Sequence, residues 1–124
     1  MAAEPGTRAR RVGEGLREEL SKLLANDVKD PGAVGAVITR VEMTLDLRAA
    51  RVYVRTLVAG DDSTRRRALM GAFRRASGML RREATRRLAL RYAPELRFVY
   101  DDGTDATTRI EVLLDEIAEQ RRGR

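Results

Sequence analysis

The spacing of apolar side chains changes along this 124-residue chain, and those changes constrain which elements can form. In the first segment the apolar residues recur at helical spacing: Val12, Leu16, Leu20, Leu23 and Leu24. Thr7 is placed to cap this helix at its start. Asp30-Pro31-Gly32 is expected to end it, because proline cannot continue a helix and glycine suits a turn.

The next segment alternates with a period of two, which is typical of β-strands. One predicted face carries Val37, Thr39, Val41, Met43 and Leu45, and the other carries Ile38, Arg40, Glu42 and Thr44. A second alternating segment covers residues 51–58, with Val52, Val54, Thr56 and Val58 on one face. Because only the short polar segment Asp46-Leu47-Arg48 separates the two strands, they are predicted to form an antiparallel hairpin.

A long helical pattern returns after Gly60-Asp61-Asp62-Ser63 and extends to about Arg91. Its apolar positions are Leu69, Phe73, Ala76, Leu80, Ala84 and Leu88. The segment is predicted to be one long helix or a helix pair, and Ala76-Ser77-Gly78 lies in the middle, where the glycine indicates a kink. Leu96, Phe98 and Tyr100 then indicate a third strand, and a last helix has Ile110, Leu113, Leu114 and Ile117 inward.

The predicted order is α–β–β–α(kink)α–β–α in a single α+β domain, with helices on one face of a small three-stranded sheet. Residues 1–6 are predicted to be a disordered lead-in, residues 7–118 the domain, and residues 119–124 a frayed basic tail. Only five aromatic side chains and no tryptophan are available, so the core is expected to be largely aliphatic.

Positive charge is concentrated in one part of the chain. Residues 63–92 contain ten arginines and one acid, Glu83, which gives the segment a net charge of +9 (10 − 1) within a chain of net charge +6. The remaining residues therefore sum to −3 (6 − 9). Arginine outnumbers lysine 23 to 2 in the whole chain, a ratio that a GC-rich genome also produces. Codon usage does not account for the clustering, and a local excess of this size attracts polyanions.

A helical projection places most of these arginines on one side. With 100° per residue, the following residues lie opposite the apolar stripe: Arg67, Arg74, Arg75, Arg81, Arg82 and Arg86. We call these six the arginine face. Charged runs are often no more than solvated helix surfaces, but such surfaces usually mix both signs. Here only Glu83 is available for pairing, which favours nucleic acid as the partner.

Several classes of function are excluded or disfavoured. The chain has no histidine and no cysteine, which removes imidazole catalysis, thiolate chemistry, disulfides and nearly every zinc site. No cofactor, metal, small-molecule substrate or enzymatic activity is therefore predicted. No apolar run is long enough to span a membrane, and none at the N-terminus indicates a signal peptide. We expect a soluble cytoplasmic protein that contacts no membrane.

The other candidate motifs have simpler interpretations. Asp101, Asp102 and Asp105 lack the glycine and glutamate positions of a calcium loop, so they are interpreted as capping the last helix. Tyr53, Phe98 and Tyr100 lie on predicted strands and could stack on bases, as in sheet-based RNA binders. At least two of them are expected in the core instead, because this core has few large residues.

Three segments resemble the ribosome-binding factor A family: residues 11–14, residues 46–54 and residues 91–102. The third, RYAPELRFVYDD, is the most specific, and the similarity extends in order from about Thr7 to Ile117. The resemblance implies a type II KH-like domain in which Ala76-Ser77-Gly78 matches the Ala-x-Gly kink of the family. The C-terminal extension is short here, so any contact specific to that tail is in doubt.

The same resemblance implies a non-enzymatic assembly factor that binds the free 30S subunit late in maturation. It further implies contact with 16S rRNA near the decoding region, release before translation, assistance of 16S 5′-end processing and a role in cold adaptation. The expected partner is thus 16S rRNA in free or immature 30S subunits, bound by a monomer.

From these arguments we expect RNA contacts at Arg74, Arg75, Arg81, Arg82 and Arg86. Flanking contacts are expected at Arg65, Arg66, Arg67, Arg8, Arg10 and Arg11. A different hypothesis is a protein-interaction module whose basic helix docks an acidic partner protein. DNA binding is a weaker third, because no recognition helix follows a tight helical turn.

Overall fold

The computed structural model describes residues 6–57 and 63–103, and within these ranges the predicted order of elements is present. The elements are α1 (Thr7–Asn26), a 3-10 turn (Pro31–Ala33), β1 (Ala36–Met43), β2 (Ala49–Thr56), α2 (Ser63–Arg87) and β3 (Glu95–Tyr100). The predicted last helix, the lead-in up to residue 5 and the tail of residues 119–124 lie outside the described residues. None of the described helices is long and apolar enough to cross a membrane.

The three strands form one mixed sheet in the order β1-β2-β3. β1 and β2 pair antiparallel, which confirms the predicted hairpin. β2 and β3 pair parallel, in register from Ala49 opposite Glu95 to Val54 opposite Tyr100. A parallel pair cannot be joined by a tight turn, and α2 provides the necessary crossover. The α+β fold with a small three-stranded sheet is confirmed.

A bulge in β1 changes which side chains face the helices. The register shifts between Ile38 and Arg40, so Ile38 lies opposite Val54 and Val41 lies opposite Val52. Directly opposed residues share a face, so Ile38 belongs with Val41 rather than on the other side. The predicted strict alternation is wrong at this point, because the bulge adds one residue at Thr39.

The core lies between the sheet and both helices. Its buried apolar side chains come from all the main elements: Leu16, Leu20 and Leu23 of α1, Leu69, Phe73 and Leu80 of α2, Val52 and Val54 of β2, and Leu96 of β3. Phe73 and Phe98 are in ring contact at 5.0 Å between centroids, and aliphatic side chains make up most of the rest. The predicted aliphatic core, with helices on one sheet face, is confirmed.

Both ends of α1 differ from the prediction. Gly6 occupies the position before the helix with φ 86°, and no side chain caps the first turn, so Thr7 is the first helical residue and not its cap. The helix ends at Asn26, four residues before Asp30. Asp30-Pro31-Gly32 instead begins the 3-10 turn, where an Asp30 carboxylate oxygen accepts the Gly32 N–H at 3.0 Å.

α2 is helical without interruption from Ser63 to Arg87. Of the two predicted alternatives, the structure has the single long helix and not the helix pair. A bend at Ala76-Ser77-Gly78 within this continuous helix stays a prediction. The helix also ends four residues before Arg91. Its end is a Schellman motif, in which Leu90 N–H donates to Thr85 O and Ala89 N–H donates to Arg86 O.

Candidate nucleic-acid interface

α2 exposes the arginine face to solvent. Its buried positions are Leu69, Ala72, Phe73, Leu80 and Ala84, which point towards the sheet and α1. All six residues of the arginine face are exposed, as the helical projection predicted. From Arg67 to Arg86 the helix rises by about 28 Å, so the face is an extended basic strip rather than a single cluster.

Three guanidinium groups of the arginine face are engaged within the protein. Arg75 Nε lies 2.7 Å from a carboxylate oxygen of Asp30, and this hydrogen bond holds the pKa of Asp30 below its ordinary value. Arg86 pairs with Glu83 at 2.8 Å and lowers the pKa of that carboxyl in the same way. Arg81 Nη2 donates to the Ala93 carbonyl at 2.8 Å, which joins α2 to the connection before β3.

The other three, Arg67, Arg74 and Arg82, make no hydrogen bond or ion pair with any part of the chain that the structure describes. Arg82 still interacts electrostatically with the neighbouring Glu83 carboxylate, whose pKa it helps to lower. Arginine offers a planar set of donors that matches phosphate geometry, and an unpaired guanidinium can bind phosphate without first breaking an internal contact. These three residues are therefore the exposed members of the arginine face without an internal hydrogen bond or ion pair among the described residues.

Arg65 and Arg66 lie near the start of α2 and are not members of the arginine face. Arg65 lines a cavity of about 270 Å³ together with Pro31 and Thr56. The Arg66 guanidinium carbon lies 4.3 Å from the Tyr100 ring centroid, and the side chain is half-buried. Arg66 is therefore directed towards the sheet, away from Arg67.

The arginines of α1 lie towards the other end of α2. Arg8 lines a cavity with residues 88–92, which follow the last turn of α2. Arg10 lines a separate cavity with Val41 and Met43, and Arg11 is exposed. Because α2 is about 37 Å long, Arg8 lies at the opposite end of the helix from Arg65 and Arg66, whereas Arg10 lies beside β1.

Two glycines lie among the arginines on the exposed side of α2. A Cβ built on Gly78 would meet only Arg82 Nη1, at 3.6 Å, and one on Gly71 would meet the flexible guanidinium of Arg75. No packing within the described structure therefore requires glycine at either position. Their effect is to leave the helix backbone accessible between the arginine side chains.

The sequence arguments did not single out Tyr92, the most exposed aromatic side chain among the described residues. It is 52% exposed, and two guanidinium carbons lie near its ring centroid, that of Arg48 at 4.9 Å and that of Arg91 at 5.4 Å. Its position could have indicated this exposure, because Tyr92 lies between Arg91 and Pro94 in a short connection after the helical pattern has ended.

The aromatic residues of the sheet do not form a stacking surface. Tyr53 is fully buried, with the Arg40 guanidinium 4.1 Å from its ring centroid. Phe98 and Tyr100 are partly buried against the core. The expectation that at least two of these three belong to the core is confirmed for Tyr53 and Phe98.

Asp101 makes hydrogen bonds within the described residues, whereas the helix that it is predicted to cap lies outside them. Its carboxylate accepts a 2.6 Å hydrogen bond from the Thr39 hydroxyl and a 3.0 Å bond from the Gly103 N–H. The bond from Thr39 holds the pKa of Asp101 below its ordinary value. The carboxylate thereby ties the end of β3 to the bulge of β1, and Asp105 lies outside the described residues. Within residues 6–57 and 63–103, no group of three His, Cys, Asp or Glu residues could hold a metal ion.

Comparison with known proteins identifies the family. The family model described as "Ribosome-binding factor A" matches residues 8–114. The chain belongs to the ribosome-binding factor A family. A ribosome-binding factor A from Sorangium cellulosum is 49% identical over 116 residues, which is 94% of this chain and 93% of that protein. One from Desulforamulus reducens is 40% identical over 113 residues, or 91% and 92% of the two chains.

Solved structures agree with the family assignment. A solution structure of a Thermotoga maritima protein has a TM-score of 0.66 and 28% identity, and the match covers 82% of this chain and 94% of that one. The crystal structure of ribosome-binding factor A from Thermus thermophilus shares the fold, with a TM-score of 0.63 and 23% identity over 74% and 94% of the chains.

The two longer segments that resemble ribosome-binding factor A meet in space. Glu95 N–H, in the segment of residues 91–102, donates to the Arg48 carbonyl in the segment of residues 46–54, at 2.9 Å. Pro94 is fully buried, and the two segments continue into the paired strands β3 and β2. These family features are therefore neighbours beside the C-terminal end of α2.

Proposed function

We propose that this protein is a ribosome assembly factor that binds 16S rRNA in free or immature 30S subunits through the arginine face of α2. The observation that carries the proposal is the exposed strip with three unpaired guanidinium groups, Arg67, Arg74 and Arg82, in a member of the ribosome-binding factor A family. Arg8, Arg10 and Arg11 at one end and Arg65 at the other extend the contact. Arg66 contributes less, because it stacks on Tyr100.

Electrostatics supports RNA as the ligand. Of the ten arginines of residues 63–92, Arg75 pairs with Asp30, Arg86 with Glu83 and Arg87 with Glu19. The chain thus neutralises part of the charge, and phosphate groups would relieve the repulsion that remains. Binding of a polyanion by several arginines also releases counterions, which makes the affinity strongly dependent on salt. Arg75, Arg81 and Arg86 keep donors beyond those used internally and remain part of the proposed contact.

The choice of the 30S subunit comes from the relatives. The family name describes ribosome binding, and a homology model of the Thermus thermophilus protein, similar in fold to this chain, is described as fitted into a cryo-EM map of a 30S complex. The proposed function includes action late in small-subunit maturation, assistance of 16S 5′-end processing and support of growth in the cold. It also includes a type II KH-like mode of binding around Ala76-Ser77-Gly78.

The proposed mechanism is binding alone, by a cytoplasmic monomer. The chain has no histidine or cysteine with which to perform imidazole or thiolate catalysis. Such a factor acts by stabilising one arrangement of the rRNA. The binding free energy for this comes from phosphate contacts along a rigid helix.

The test is co-sedimentation with purified free 30S subunits, assembled ribosomes and immature small subunits. The triple variant R67Q/R74Q/R82Q removes the three unpaired guanidinium groups. The control K22Q/K29Q/R55Q removes the same charge from exposed positions outside α2. We expect the wild type and the control to bind free and immature small subunits and not assembled ribosomes. The triple variant should bind at least about 10-fold more weakly.

Equal binding of the triple variant and the control would contradict the proposed site. Preference for assembled ribosomes would contradict the proposed stage of action. Competition between protein-free 16S rRNA and an acidic protein at moderate salt tests the hypothesis of an acidic partner protein. An rRNA site prefers the RNA, whereas a protein-docking site shows no preference for it.

A further inference from the structure

Tyr92 lies in the connection between α2 and β3 with more than half of its surface exposed. Burial of an aromatic ring is a large stabilising contribution, and at 52% exposure Tyr92 gives up about half of it. The guanidinium carbons of Arg48 and Arg91 lie 4.9 and 5.4 Å from its ring centroid, within the range of cation–π contacts, and still leave this half of the residue open to solvent. The ring is available to a partner.

The backbone around Tyr92 is held on both sides. Before it, Leu90 N–H donates to Thr85 O at 3.0 Å and closes the end of α2. After it, the Ala93 carbonyl accepts from Arg81, and Pro94 is fully buried. A ring carried on an anchored segment loses little conformational freedom when a ligand binds, which favours affinity.

Beside the ring is a cavity of about 410 Å³ with a basic lining. Arg8, Leu47, Leu88, Ala89 and Arg91 line it together with Tyr92. Asp46 is the one acid in this lining, and its carboxylate already accepts from the Thr44 hydroxyl at 2.7 Å and the Arg48 N–H at 3.0 Å. The volume lies in the range of small-molecule sites. A flat ring with arginines around it matches a planar base that carries a phosphate.

We propose that Tyr92, Arg8, Arg48 and Arg91 form a binding site for one unpaired nucleotide of an RNA strand. The base stacks on the Tyr92 ring, and the guanidinium groups bind the adjacent phosphates. Arg81 belongs to the arginine face and contacts the Ala93 carbonyl, so the nucleotide site continues that face at its C-terminal end. The inference rests on the proposed RNA-binding function and adds to it a preference for single-stranded RNA.

The experiment measures dissociation constants by fluorescence anisotropy, with a labelled ten-nucleotide oligouridylate and an abasic ribose-phosphate oligomer of equal length and charge. The variants are Y92A, Y92F and the control L57A. Leu57 is an apolar residue that is 64% exposed and lies outside the proposed nucleotide site. We expect Y92A to weaken oligouridylate binding by about 10-fold, with Y92F and L57A within about 2-fold of the wild type. Binding of the abasic oligomer should not change in any variant.

Three results would overturn the nucleotide site. These are an unchanged oligouridylate affinity in Y92A, an equal loss for both oligomers, or a wild type that binds the two oligomers equally. Thermal unfolding of Y92A, expected within about 2 °C of the wild type for an exposed residue, excludes a folding defect. If the oligouridylate affinity is unchanged in Y92A while the wild type still binds free 30S subunits, only this inference fails. Loss of wild-type 30S binding contradicts the proposed function instead.

Discussion

Ala89 stores backbone strain at the end of α2. It occupies the left-handed position of the Schellman motif with φ 52°, where glycine is favoured because a Cβ is disfavoured there. We expect Ala89→Gly to raise the free energy of unfolding by about 1 kcal/mol. Ala68→Gly, at an exposed position inside α2, should lower it by about 1 kcal/mol. Urea titration of the two variants measures both changes. A destabilised Ala89→Gly variant would contradict the claim that the backbone is strained at Ala89.

Gly32 is required by a close approach of backbone to backbone. A Cβ built there would lie 2.5 Å from the Ala68 carbonyl oxygen and 3.3 Å from the Ala72 Cβ. Because α2 cannot move away without disturbing the core, Gly32→Ala is expected to cost about 1–3 kcal/mol. Gly78→Ala is the matched control on the open side of α2 and should gain about 1 kcal/mol. Thermal unfolding that showed the same sign for both variants would refute this distinction.

Asp101 makes stability depend on pH. The hydrogen bond from Thr39 lowers its folded pKa below its ordinary value of 3.8, so the folded state favours the charged carboxylate. This stabilisation is fully present above the ordinary pKa and is lost as the pH falls through the folded pKa. The wild type should therefore melt above Asp101→Asn at pH 7, and the difference should shrink below about pH 4. Melting curves between pH 7 and pH 2.5 check this, and a gap that stayed constant would contradict it.

At the scale of the element, α2 combines two kinds of arginine with opposite expected effects. Arg82 lies four residues before Arg86, and like charges at this spacing repel, so Arg82→Gln should leave stability unchanged or raise it by a few tenths of a kcal/mol. Arg75→Gln removes the 2.7 Å contact with Asp30 and should lower the melting temperature modestly. Calorimetry at low salt measures the melting temperatures of both variants. A larger decrease in Arg82→Gln than in Arg75→Gln would contradict the distinction between unpaired and paired arginines.

The helices and strands were largely predictable because their apolar residues follow one period over many positions. In α2 the stripe from Leu69 to Ala84 identified both the buried side and the opposite arginine face. The bulge at Thr39 was not predictable, because a single added residue leaves the composition of β1 unchanged while it moves Ile38 to the other face. Helix ends were displaced by four residues for a similar reason: Asn26 and Arg87 are followed by residues that still fit a helical pattern.

The sequence predicted which surface of α2 carries the arginines, but it did not predict which residues those arginines contact. Net charge and periodicity identified the arginine face, but they carry no information on long-range partners. The Asp30–Arg75 pair joins residues 45 positions apart, and Arg81 reaches the carbonyl of Ala93. Such contacts depend on how the turns lie against α2. Tyr92 was missed because its exposure depends on how the connection between α2 and β3 packs, which the spacing of residues does not show.

At the scale of the whole molecule, the basic surface is one strip with different ends. The start of α2 carries Arg65 beside the 3-10 turn, and the far end carries Arg8, Arg48 and Arg91 around Tyr92. Between them lie the three unpaired arginines of α2. This arrangement suits an RNA whose backbone follows α2 and whose unpaired nucleotide stacks on Tyr92. The phosphate contacts and the base contact are both made by elements that pack on the same core.

The central claim is that phosphate contacts through α2 hold the protein on the free small subunit. The most direct measurement is the affinity for purified free 30S subunits between about 50 and 200 mM salt. The logarithm of the association constant should fall linearly with the logarithm of salt concentration. The slope for R67Q/R74Q/R82Q should be shallower than that of the wild type by about 2–3. A wild-type affinity that hardly changed over this range, or an unchanged slope in the triple variant, would contradict the account.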